Sequence, residues 1–132
     1  MRISVDTNIL VRAAARDNLQ QARAAANVLR NEESIVVPIV ALCEFVWVMR
    51  KGFKMSAADV ARSLRSLVES ANVLTNGPAV EAGLAVLDKG GDFADGVISY
   101  EGSWLGAEEF VSFDKQAVSL LKSNGQKARL LS

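Results

Sequence analysis

Short β-branched runs and longer stretches of helical periodicity take turns along the chain. Ile3 and Val5 form the first short run, which closes on Asp6 and breaks into Thr7 and Asn8. That pattern predicts strand, turn and then a helix over residues 9–15. The Ala-rich stretch 20–30 predicts a second helix, ended by Asn31, Glu32 and Glu33, and residues 34–37 predict a second strand. Pro38 suits the opening of a helix over 39–51, apolar almost all round and stopped at Gly52. Residues 56–69 predict an amphipathic helix with Ser56 as its N-cap and Asp59 three positions on. Val60, Leu64, Leu67 and Val68 form its apolar stripe, and Arg62 and Arg65 face outward.

The second half repeats the alternation. Residues 72–74 predict a strand, and Asn76, Gly77 and Pro78 turn it into a helix over 79–89 that Gly90 and Gly91 terminate. Helix over 92–105, strand over 110–113, helix over 115–122 capped by Asp114 and strand over 128–131 complete the reading. With helices separating nearly every pair of strands, the expected class is α/β, with a parallel sheet covered on both faces. No internal repeat, low-complexity tract or long linker divides the chain, so the 132 residues are expected to form a single domain.

Composition narrows the chemistry. A chain of this length buries about 68% of its unfolded surface and needs no disulfide or metal cluster to fold. Cys43 is the sole cysteine and there is no His, which suits a reducing, cytoplasmic setting and disfavours zinc. No run of about 18 apolar residues predicts membrane insertion, and no signal peptide is expected. The net charge is zero but uneven: residues 1–66 hold ten Lys/Arg against six Asp/Glu, and residues 67–132 hold five against nine. A basic rim beside an acidic pocket would bring a polyanion to a metal, although solvated helix faces account for the same asymmetry.

The acids carry the candidate chemistry. Asp6 and Asp114 each end a predicted strand and precede a helix, a position that capping alone would also explain. Glu44 lies within Val40-Ala41-Leu42-Cys43-Glu44-Phe45-Val46-Trp47-Val48-Met49, where a carboxylate needs an Arg partner or a cleft. Asp92 and Asp95 follow Gly90-Gly91 at the spacing of an N-cap and its N3 position, with Asp92 read as the cap and Asp95 as the functional acid. Acids at strand ends of one parallel sheet converge on one edge, where carboxylates about 5 Å apart repel by roughly 3 kcal/mol per pair at an effective dielectric of 20. Such a cluster calls for a hard cation, Mg²⁺ or Mn²⁺, and so for phosphoryl transfer or phosphodiester hydrolysis.

In order and spacing, Asp6-Thr7-Asn8, Glu44, Asp95 in Asp92-Phe93-Ala94-Asp95-Gly96-Val97-Ile98, and Asp114 in Ser112-Phe113-Asp114 resemble the PIN domain, and within it the VapC-type ribonuclease toxins. The resemblance covers the whole chain. It implies a three-layer α/β/α fold around a central parallel sheet of four to five strands. It further implies a divalent-metal endoribonuclease that cuts RNA with a metal-activated water, a homodimer, and neutralisation by a VapB-like antitoxin. On this resemblance Asp6, Glu44, Asp95 and Asp114 are the catalytic and metal-binding acids, Asp6 and Asp95 the principal ligands. Thr7, Asn8 and Ser112 would orient them. The chain departs from its relatives at Gly96, Tyr100, Glu101 and Trp104, in a helix that is often richer in Ala.

Arg50, Lys51, Lys54, Arg62 and Arg65 are candidates for contacts to the RNA backbone, with ordinary surface placement as the alternative. Phe45, Trp47 and Met49 are read as core, with a dimer face or an antitoxin groove as the alternative. Two other readings differ in class. An aspartyl-phosphate phosphatase or receiver module wants further acids around the first strand, where Asn8 stands instead. A catalytically silent PIN-like module would act only by binding an antitoxin or RNA.

Overall fold

A computed structural model describes residues 1–132. Two compact units emerge, Met1–Asn76 and Gly77–Ser132.

In the first unit β1 (Arg2–Ser4) leads into α1 (Thr7–Ala15) and α2 (Leu19–Asn31), followed by β2 (Ser34–Val36). Next come α3 (Ile39–Trp47), a π-helical turn (Val48–Gly52), α4 (Ala57–Val68) and β3 (Val73–Leu74). The three strands pair in parallel in the order β1-β2-β3, Ile3 opposite Ile35 and Ile35 opposite Val73. Central β2 carries the deepest side chain, with Ile35 wholly buried. Local chemistry sets the helix ends: Arg16 stops α1 in the left-handed region. The Gln21 amide donates to Asn18 Oδ1 at 3.1 Å to start α2, and the Asp59 amide donates to Ser56 Oγ at 3.1 Å to start α4. One tie spans the unit. Asn72 Nδ2 donates to the carbonyls of Leu29 (2.9 Å) and Glu32 (3.0 Å), holding the end of α2 against the entry to β3.

The second unit comprises α5 (Gly77–Leu87), α6 (Phe93–Trp104), β4 (Phe110–Ser112), α7 (Lys115–Ser123) and β5 (Ala128–Leu130). β4 and β5 pair in parallel, Val111 opposite Arg129. Val86, Val118, Leu121 and Ala128 pack together with Phe110 and Leu120 against them. α5 and α6 approach closely because Gly83 and Gly96 lack side chains. A Cβ on Gly83 would stand 2.5 Å from the buried Phe93 ring, and one on Gly96 would collide with the Ala82 carbonyl. The two glycines together permit this packing.

The alternation of parallel strands and helices agrees with the sequence, down to the caps Ser56, Asp92 and Asp114. One expectation is corrected: in place of a single sheet of four to five strands there are a three-stranded and a two-stranded sheet. Hydrophobic periodicity identifies a strand and its buried face but does not specify how many strands share a ladder. Here each strand is only two or three residues long, which leaves few backbone groups for further pairing. No helix is long and apolar enough to cross a membrane.

Candidate active site

In the first unit Asp6 stands just past the carboxyl end of β1. Val5 still belongs to the sheet, its amide donating to the Val36 carbonyl at 3.3 Å, and is buried, whereas Asp6 is exposed. The Ile9 amide donates to Asp6 Oδ1 at 3.2 Å, so this acid does cap α1. The cap engages one oxygen and fixes the carboxylate at the sheet edge, where ligands of parallel sheets collect.

Glu44 differs from its expected setting. Rather than lying among apolar neighbours it is exposed on α3, on the same face as Val40 and Trp47, which are 62% and 60% exposed. Ala41, Leu42, Phe45, Val46 and Met49 take the buried side. The spacing i, i+4, i+7 puts positions 40, 44 and 47 on one stripe. Because two of those three are apolar, the sequence conceals the open face, and Glu44 needs no buried partner.

In the second unit Asp92 caps α6, the Ala94 amide donating to its Oδ1 at 3.0 Å. Asp95 follows in the first turn and is half-buried. Its carboxyl titrates above the ordinary 3.8, first because burial disfavours the charged form, then because Asp92 and Asp114 repel it. Asp114 lies two residues beyond β4. Its amide donates to Ser112 Oγ at 2.9 Å, and its Oδ1 accepts from the Ala117 amide at 3.0 Å, capping α7. Ser112 thus holds the backbone of Asp114 and, through it, the carboxylate. Sequence reasoning gave Asp92 a capping role alone; its second effect, the charge it sets beside Asp95, was signalled by the three-residue spacing on a helix.

The charge that Asp92 and Asp114 set beside Asp95 adds to burial in raising it, and carboxylate oxygens are the donors that a hard cation takes. The carboxylates do not close into a preformed cage: no three His, Cys, Asp or Glu side chains stand together so as to hold an ion. Asp6 and Glu44 belong to the first unit and Asp95 and Asp114 to the second.

Among the basic candidates, Lys51, Lys54 and Arg65 are exposed, Arg62 pairs with Asp59, and Arg50 Nη1 donates to the Met55 carbonyl at 3.1 Å. The first unit also holds a cleft of about 680 Å³, whose apolar lining includes Leu10, Leu29, Phe45 and Leu67, with Arg16 and Arg62 beside it. Phe45 and Met49 are buried as core, while Trp47 points outward.

The sequence model of a family described as PIN domain matches residues 3–116, a span that runs through both units and contains all four candidate acids. No curated protein matches the chain at a significant level.

Proposed function

The chain belongs to the PIN domain family, a family of metal-dependent nucleases, and we propose that it is a Mg²⁺- or Mn²⁺-dependent endoribonuclease hydrolysing RNA phosphodiester bonds. The proposal extends to a VapC-type toxin role, a VapB-like antitoxin, a homodimer, a cytoplasmic location and the three-layer α/β/α arrangement. The observation that carries it is the family match over residues 3–116, a span holding all four acids, with the Asp95 carboxyl raised by burial and then by Asp92 and Asp114.

PIN domains generally use divalent metals, and the residues that would hold one are Asp6, Glu44, Asp95 and Asp114. When bound, such an ion supplies an activated water and positive charge against the phosphate. The chain's own part is to fix carboxylates in place. Asp6 and Asp114 are anchored by the amides of Ile9 and Ala117, so little ordering is left to the moment of binding. Asp95, burdened by burial and by its neighbours, gains from a cation beside it. Exposed Lys51, Lys54 and Arg65 supply positive charge to steer the RNA backbone. The 680 Å³ cleft of the first unit, apolar with arginines beside it, supports an amphipathic antitoxin segment as its occupant.

Incubation of the purified protein with total RNA and Mn²⁺ provides the test. Cleavage by the wild type, lost in Asp95→Asn and abolished by chelation, is the expected result. Equal cleavage by Asp95→Asn would remove that residue from the site, and no metal-dependent cleavage of any RNA would overturn the nuclease reading.

A further inference from the structure

The exposed side of α3 presents more than Glu44. Trp47 is 60% exposed although Phe45 and Met49, two positions to either side, are at 3% and 0%. Exposure alone does not single it out, since Trp104 is 77% exposed; what sets Trp47 apart is what stands on either side of it along the helix.

Trp47 has two distinctive neighbours. Glu44 lies one helical turn before it on the same exposed face, about 4.5 Å along the axis. After it the backbone widens into the π-helical turn Val48–Gly52, a feature frequent at functional sites. That turn is held firmly. The amides of Phe53 and Met55 donate to the carbonyls of Val48 (3.1 Å) and Met49 (2.9 Å), and Arg50 Nη1 donates to the Met55 carbonyl at 3.1 Å. It presents Lys51 and Lys54 to solvent, together with Phe53 at 40% exposure. From residue 45 to residue 58 there are three basic side chains, Arg50, Lys51 and Lys54, and no acid. An exposed indole with ammonium groups just beyond it is what a single-stranded nucleic acid needs, an aromatic face for a base and positive charge for the flanking phosphates.

We propose that Trp47 stacks on an unpaired RNA base immediately beside the phosphate presented to Glu44, with Lys51 and Lys54 holding the neighbouring phosphates. The inference rests on the nuclease reading above and adds a positioning residue to it: stacking needs an unpaired base at that point, because a base within a duplex is already stacked on both faces and cannot offer one to the indole. Trp47 is a positioning and specificity residue, setting which phosphate reaches the carboxylates.

Binding without cleavage separates this from the catalytic proposal. In Trp104→Phe, Trp47 is the sole tryptophan, and its fluorescence is followed in EDTA as a ten-nucleotide single-stranded RNA, or the same RNA annealed to its complement, is added. Quenching by the single strand and not by the duplex is expected. Trp47→Ala should weaken single-strand binding about tenfold or more, with Trp47→Phe restoring most of it. Lys51→Ala and Lys54→Ala should each reduce the salt slope by about 0.7. RNA binding with no quenching, or Trp47→Ala with unchanged affinity, overturns the proposal and leaves the nuclease reading standing. If Trp47→Ala also halves the mass by light scattering while binding is unchanged, a second copy of the chain is the occupant of this face. Absence of both RNA binding and cleavage defeats the two together.

Discussion

Asp95, in the first turn of α6, feels the carboxylate of Asp114, which caps α7 nineteen residues later, and the repulsion adds to burial and to Asp92 in raising the Asp95 carboxyl. Asp92 caps α6 and Asp114 caps α7, so both repelling charges sit at helix starts. The folded chain consequently carries a charge it would be more stable without.

The pH dependence follows. In the folded protein Asp95 keeps its proton to higher pH than its ordinary value of 3.8, so the native state binds more protons than the unfolded chain in that window. Stability from this group therefore falls as pH rises from the ordinary value through the raised one, and the full penalty applies at neutral pH. Asp95→Asn removes it. We expect the variant to melt above the wild type at pH 7 and the difference to vanish near about pH 3, where both side chains are uncharged. Mn²⁺ should narrow the gap at pH 7 by raising the wild-type melting temperature more than that of Asp95→Asn. Thermal melts at the two pH values, with and without Mn²⁺, check both expectations.

Close packing of α5 and α6 sets opposite fates for two glycines of α6. Gly96→Ala gains at most about 1 kcal/mol of helix propensity, but its methyl meets the Ala82 carbonyl and Gly83 Cα, backbone atoms that cannot turn aside. Separating the helices should cost about 1–3 kcal/mol or more, so the variant is destabilised overall. At Gly102 the nearest atom to an added Cβ is the Ala107 methyl, 3.9 Å away. Gly102→Ala should be neutral or stabilising by up to about 1 kcal/mol. Urea denaturation of the pair reads the sign directly.

Much of this was legible in the sequence, for reasons that can be traced residue by residue. Ser56, Asp92 and Asp114 were read as caps because short acceptors before an apolar stripe act locally, and each now accepts a backbone amide. Strand pairing depends on segments far apart in the chain, and the division into two sheets left no mark in the alternation of Ile3, Val5, Ile35 and Val37. Glu44 was misjudged for a related reason. Val40 and Trp47 are apolar by type but exposed by position, and only a structure separates those properties. The raised carboxyl of Asp95 was half visible, in its spacing from Asp92, while the reach to Asp114 required the fold.

Asn72 supplies a prediction for the first unit. Its amide satisfies the carbonyls of both Leu29 and Glu32, at the end of a helix whose last carbonyls lack intrahelical partners. Asn72→Ala should cost about 1–3 kcal/mol, the net worth of two hydrogen bonds, and Asn72→Asp more, since a carboxylate cannot donate and would face two carbonyl oxygens. Chemical denaturation checks the order wild type, Ala, Asp.

Asp6 and Asp114 cap helices and are also the proposed metal ligands, and paired substitutions divide the two roles. Asn accepts a backbone amide about as well as Asp, so Asp6→Asn and Asp114→Asn keep the caps to Ile9 and Ala117 while removing the charge. Ala removes both, and each Ala variant should lose about 1 kcal/mol of stability relative to its Asn counterpart. If the carboxylates hold a cation, cleavage is lost equally in the Asn and Ala variants, whereas melting temperature drops only with Ala. Activity that follows melting temperature across the four variants would instead mean that these residues only hold α1 and α7 in place. Because the Asn variants separate charge from capping, RNA cleavage and thermal melts on the same preparations decide between the two roles.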